Sequence, residues 1–210
     1  MKRKIASFTG GRPIFTGSPA IVPGGFNLDV VTEKFTPGMI IPGGSLAIYD
    51  EVKRTVQIVK TASVVEVNSE NAKEITLKVD EFYSPIFVVG DMVVKESSAS
   101  GSFVDAAQIT AISQTDNSCV ITLSKDIPGL KAGDVIFEVV KEEGIFAERG
   151  QANALTLADV EVSEFETGVD VTADTMQYAL FERRVPVIPE FHKNGNLLAA
   201  NPNVKLTQSY

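Results

Sequence analysis

The sequence predicts a mainly β protein: a small β-barrel or sandwich body with an extended Gly/Pro-rich N-terminal arm and a C-terminal extension. Three observations carry this. Residues 74–79 alternate, with Ile75, Leu77 and Val79 on one face and Glu74, Thr76 and Lys78 on the other. Turn signals recur roughly every 8–12 residues, the rhythm of a barrel or sandwich. No window supports a helix of three turns. The best, residues 175–184 with Met176, Ala179, Leu180 and Arg183, is short and reads equally well as a strand.

Residues 1–45 form the predicted arm. Gly10-Gly11, Pro13, Gly17, Pro19, Pro23-Gly24-Gly25, Pro37-Gly38 and Pro42-Gly43-Gly44 prevent a helix and interrupt any long strand. Ile5, Phe8, Ile14, Phe15, Ile21, Phe26 and Val30 supply apolar anchors. They predict an arm ordered by lying on a surface, the chain's own or a neighbour's, and separable from the core.

Residues 46–150 form the predicted body. Leu46 to Tyr49 and Thr55 to Val59 read as strands joined by a hairpin loop, Asp50-Glu51-Val52-Lys53-Arg54. Val64-Val65-Glu66-Val67, Val88-Val89-Gly90-Asp91-Met92-Val93-Val94 and Val120-Ile121-Thr122-Leu123 are rich in β-branched residues. An internal repeat is visible. Ile75-Thr76-Leu77, Pro85, Gly90-Asp91 and Met92-Val93-Val94 return as Ile121-Thr122-Leu123, Pro128, Gly133-Asp134 and Val135-Ile136-Phe137. Each copy reads as a strand, a Pro corner, a Gly-Asp turn and a return strand, and two such units pairing would make a small barrel. The stretch 97–102 reads as an exposed loop tip. Residues 151–210 complete the chain as a C-terminal β segment and tail.

Composition narrows function by exclusion. At 210 residues, with 44% hydrophobic and 22% charged residues, the chain has enough apolar content for a sizeable core. One cysteine, Cys119, gives no internal disulfide framework and reads as a small buried hydrophobe. One histidine, His192, gives no His-paired zinc site and reads as a surface or interface residue. No apolar run approaches the ~20 residues of a membrane span, which predicts a soluble chain without a membrane partner. The basic start lacks the apolar stretch of a secretory signal. Three Gly-Gly pairs lack the following Lys-Ser/Thr of a phosphate loop, and Gly-x-Ser-x-Gly is absent. Asp116, Asp126, Asp159, Asp170 and Asp174 show no spacing that singles out an acid–base pair, and Asp170-Val-Thr-Ala-Asp174 lacks the glycine of a calcium loop. The expectation is a protein without catalytic, cofactor or metal sites.

The net charge of −8 is unevenly spread: +3 over residues 1–45, −13 over 46–175 and +2 over 176–210. An acidic body with basic ends argues against nucleic acid as the partner. The ends suit an acidic protein surface, with Lys2, Arg3, Lys4 and Arg12 at one end and Arg183 and Arg184 at the other as candidate contacts. An internal salt bridge to the acidic body is the alternative for the two adjacent arginines.

The order of segments carries a resemblance. Val22-Pro23-Gly24-Gly25 is followed by Ile41-Pro42-Gly43-Gly44-Ser45-Leu46-Ala47-Ile48-Tyr49-Asp50 and Val59-Lys60-Thr61-Ala62-Ser63-Val64. Then come Phe87-Val88-Val89-Gly90-Asp91, Ala107-Gln108-Ile109-Thr110-Ala111-Ile112, Leu130-Lys131-Ala132-Gly133-Asp134 and Glu182-Arg183-Arg184-Val185-Pro186. Over residues 20–206 this series resembles head-fiber and head-decoration (auxiliary capsid) proteins of tailed bacteriophages, particularly Bacteroides-infecting crAss-like phages. The resemblance implies a virion structural protein on the outer capsid surface, bound to the major capsid protein and to other head proteins, with homo-oligomer formation left open. It implies assembly in the host cytoplasm and no catalytic residues. A sugar- or receptor-binding β module is the runner-up, weakened by the absence of Trp and by only four Tyr. Carboxylate enzyme chemistry is a third reading.

Overall fold

Two closed β-rings are threaded by one chain, the second inserted into the first. A computed structural model describes residues 13–22, 25–29, 34–81, 83–96, 106–142, 145–147, 149–173 and 178–208. The chain opens with β1 (Phe26–Leu28), β2 (Ile40–Ile41), β3 (Leu46–Asp50) and β4 (Thr55–Val59). It continues through β5 (Thr61–Val67), β6 (Glu74–Leu77), β7 (Met92–Lys95), β8 (Ala107–Gln114), β9 (Cys119–Leu123) and β10 (Val135–Glu142). β11 (Ile145–Ala147), β12 (Ala154–Thr156), β13 (Val160–Glu161), β14 (Gly168–Val169) and β15 (Val171–Thr172) follow. β16 (Ala179–Phe181), 3-10 turns at Glu182–Arg184 and Glu190–His192, β17 (Lys193–Asn194), β18 (Leu197–Leu198) and β19 (Lys205–Thr207) end it.

The first ring runs β1-β4-β3-β12 and closes through β14 and β15. These two are halves of one strand interrupted at Asp170, β14 pairing with β1 and β15 with β12. Phe26, Ile41, Val56, Ile58, Val169 and Val171 fill its interior. In β4 the alternation is clean, Val56 and Ile58 pointing inward while Thr55 and Gln57 stay half-buried. β12 is buried along its whole length, Ala154 facing the ring interior and Leu155 facing the C-terminal sheet β16-β19-β18-β17.

The second ring is β10-β5-β6-β9-β8-β7, closed by pairing of β7 back to β10. Its two halves repeat each other bond for bond. In β5–β6 the register is Val64↔Leu77, Glu66↔Thr76 and Val67↔Ile75, with a bulge between Val64 and Glu66. In β8–β9 it is Ile109↔Leu123, Ala111↔Thr122 and Ile112↔Ile121, with a bulge between Ile109 and Ala111. Gly90 N–H donates to the Ile109 carbonyl, and Gly133 N–H donates to that of Val64. Each Gly-Asp turn is closed the same way: Val88 N–H donates to Asp91 and Lys131 N–H to Asp134, both at 2.8 Å. The repeated segments therefore sit about a pseudo-twofold axis, β6 against β9 and β7 against β10. The strand after the first Gly-Asp turn begins at Met92, so residues 88–91 are turn rather than strand.

These pairings group the chain differently from the blocks 1–45, 46–150 and 151–210. β3 and β4 belong with β1 and β12 in the first ring, and residues 61–142 form the inserted ring. The arm is extended, yet part of it is not separable. Phe26 and Leu28 are buried core residues of β1, and Ile14 to Thr16 lie against β16 through the Phe15↔Leu180 bridge. β1 has only three residues, and its place in the ring rests on pairing across the chain rather than on local pattern. The loop tip expected at 97–102 lies outside the described residues, as do residues 175–177 of the window 175–184, whose described part forms β16 and the 3-10 turn Glu182–Arg184.

Two expectations follow. Gly90 and Gly133 have φ of +101° and +89°, where an L side chain is strained, and a Cβ at Gly133 meets nothing within 4 Å. Gly133→Ala is therefore a pure backbone test, expected to cost about 1–3 kcal/mol in denaturant unfolding. Truncation separates the arm's parts. Removing residues 1–12 should leave the melting temperature nearly unchanged, whereas removal through Leu28 should abolish cooperative unfolding of the first ring. Equal melting of the two truncations would contradict the strand role of β1.

Candidate functional site

The two adjacent arginines lie just past β16, in the 3-10 turn Glu182–Arg184. Arg184 stacks on the Phe181 ring, its guanidinium carbon 4.2 Å from the centroid, and its Nη1 donates to the Pro13 carbonyl at 2.8 Å. It is thus engaged with the arm, and among the described residues no acidic side chain pairs with it. Beside it the arm adds to the sheet edge. Phe181 N–H donates to the Ile14 carbonyl at 2.7 Å, and Thr16 N–H to that of Ala179 at 2.9 Å. Phe15 is buried among Leu46, Leu155 and Leu180. Arg183 is exposed on the same turn. Lys2, Arg3, Lys4 and Arg12 lie outside the described residues, but Arg12 is bonded to Pro13. The sequence that carries those four cations therefore joins the body at the arginine corner. The described contact at this corner is between Arg184 and Pro13.

A second group of charges was not anticipated from sequence. Lys60 sits in the crossing from β4 to β5, with no side-chain exposure. Its Nζ lies 2.8 and 3.0 Å from the two Asp91 oxygens, Asp91 being 2% exposed, and 3.7 Å from Glu138 Oε1. Arg149, in the return crossing toward β12, donates from Nη2 to the same Glu138 oxygen at 2.9 Å. The Phe35 ring closes over Lys60 with its centroid 4.7 Å from Nζ. Burial, the largest influence, raises the Glu138 carboxyl above the usual range, against the pull of Lys60 and Arg149. Glu138 Oε2 has no hydrogen-bond partner among the described residues. The signal was present in the sequence: Lys60 and Glu138 are lone charges within apolar runs, Ile58-Val59-Lys60 and Ile136-Phe137-Glu138-Val139-Val140.

His192 is a correction. Expected at a surface or interface, it is 1% exposed. Its Nδ1 accepts the Ala152 N–H at 3.0 Å, which leaves the ring proton on Nε2. Burial lowers its pKa from 6.5 to about 4. Cys119 is buried in β9, as expected, and burial pushes its thiol up to about 11. Among the described residues no group of three or more His, Cys, Asp or Glu is placed to hold a metal ion, and no helix is long and apolar enough to cross a membrane.

No protein-family model, curated protein or solved structure matches the chain. The functional reading therefore rests on the residues themselves.

The histidine yields a pH expectation. Its folded pKa lies below its unfolded value of 6.5, so the folded state resists protonation. Its stabilising effect is complete above pH 6.5 and is lost as pH falls toward about 4. A shift of that size is worth roughly 3 kcal/mol. In urea titrations between pH 6.5 and 5, wild type should lose stability more steeply than His192→Gln, the raised Glu138 carboxyl being common to both. Parallel slopes for the two would refute it.

Proposed function

We propose that the chain is a bacteriophage virion structural protein, a capsid-decoration or head-fiber subunit that docks its basic corner on the outside of the major capsid protein shell. The observation that carries this reading is the contact between the N-terminal segment and the C-terminal arginine turn, where Arg184 holds the Pro13 carbonyl beside the exposed Arg183. The body between those ends carries −13, so the corner is the natural point of attraction to an acidic surface while the rest of the molecule repels like-charged neighbours. An acidic body of closed β-rings with a fused arm suits a permanent exterior subunit. Localisation on the outer capsid surface, after assembly in the host cytoplasm, belongs to the same proposal.

The test separates docking from stability. Arg183→Ala and a Lys2→Gln, Arg3→Gln, Lys4→Gln triple variant should unfold like wild type. Both should bind shells of the cognate major capsid protein more weakly, with a shallower salt dependence. Arg184→Ala should additionally loosen the arm, read as faster proteolysis near Pro13. Wild-type capsid binding by all three variants would overturn the docking role.

A further inference from the structure

The charges between the rings are arranged for a covalent step. We propose that Lys60 and Asp91 condense to an intramolecular amide, with Glu138 carrying the proton. This stands apart from the virion reading and does not depend on it.

The reactants are already in contact. Lys60 Nζ lies within 3.0 Å of both Asp91 oxygens, so rotation about the Asp91 Cβ–Cγ bond presents the face of Cγ to the amine. Neither side chain has appreciable exposure, at 0% and 2%. Burial withholds the water that would hydrolyse an amide once made.

The step balances without any further reactant. A proton passes from the Lys60 ammonium to an Asp91 oxygen along the existing hydrogen bond. The freed nitrogen lone pair attacks Cγ, and the C=O π pair moves onto oxygen. Glu138, 3.7 Å from Nζ, accepts the proton that the nitrogen now sheds and delivers it to the departing hydroxyl. The C–O bond breaks and water leaves. An N–C bond has formed, nothing is oxidised or reduced, and Glu138 ends as it began.

The arrangement around Glu138 fits this task. One of its oxygens is anchored by Arg149, which makes Arg149 a positioning residue, and the other is left without a partner among the described residues. The Phe35 ring shields the amine. The bond would tie the crossing between the rings to the first Gly-Asp turn, across 31 positions of sequence.

Intact mass of the purified full-length chain decides. The expected result is a folded chain lighter than its sequence mass by one water. A peptide map should show the segments containing residues 60 and 91 joined, with tryptic cleavage after Lys60 lost. Lys60→Arg, which keeps the charge but cannot condense, should have its full sequence mass and two separate peptides. Glu138→Gln should link more slowly by at least tenfold. Wild type of full sequence mass after prolonged incubation at neutral pH would overturn the proposal, as would a water loss that persists in Lys60→Arg. Linkage of Glu138→Gln at the wild-type rate would overturn the assignment of the proton carrier.

Discussion

The chain passes between its two rings twice, and both passages meet at the buried Lys60–Asp91–Glu138–Arg149 group. Lys60 belongs to the outward crossing and Arg149 to the return, while Asp91 and Glu138 come from the inserted ring. Two cations face two anions, so the group is neutral as a whole. That neutrality is what makes its burial tolerable, because an isolated charge there would cost several kcal/mol. The consequence is mutual dependence. Removing any one member strands a charge in an apolar setting, and each member is contributed by a different element. Apolar packing holds each ring together internally, and this polar group fixes how one ring is joined to the other. The C-terminal segment reinforces the joint, since Thr61 Oγ1 donates to the Val187 carbonyl at 2.6 Å.

The inserted ring shows how a repeated unit acquires such a group. Its two Gly-Asp turns have the same backbone and the same internal side-chain bond. Their ionic partners differ. Asp134 pairs with Lys95 at 2.8 Å, with Lys95 31% exposed and Asp134 15% exposed, where solvent weakens the attraction. Asp91 faces the first ring and meets a wholly buried lysine. The two turns share a backbone, but Asp91 lies against the wholly buried Lys60 of the crossing while Asp134 meets a partly exposed lysine, and burial there turns an ordinary turn aspartate into part of a charged core.

Much of this was legible in the sequence, and the failures share a cause. The alternation at residues 75–79, the 50–54 hairpin, the burial of Cys119 and the paired Gly-Asp segments all express local patterns that run for several residues. The first ring does not. Its strands β1, β12, β14 and β15 have two or three residues each, too few for any period to show, and they close by pairing across 26 to 172. Gly and Pro around Phe26–Leu28 read as an arm because they are punctuation, and punctuation does not reveal that the three residues between are a core strand. His192 was misread for a similar reason. Its partner, the Ala152 N–H, lies 40 positions away. Arg183 and Arg184 stand out in the sequence as adjacent cations, but sequence alone offered no sign that Arg184 meets the arm.

Ring closure also explains where interaction chemistry is left. A closed sheet satisfies its own backbone N–H and C=O groups, so neither ring has to recruit a strand to complete itself. The C-terminal sheet is open, and at β16 its edge is taken by Ile14 to Thr16 with Phe15 as the anchor. Strand addition there uses up the backbone donors nearest the arginine corner. What remains to face a partner is side-chain charge, whose reach extends over a Debye length and which needs no exact register to attract. The arm thus does two things with one segment: Ile14 to Thr16 cover the β16 edge, with Phe15 as the buried anchor, and the Pro13 carbonyl holds Arg184.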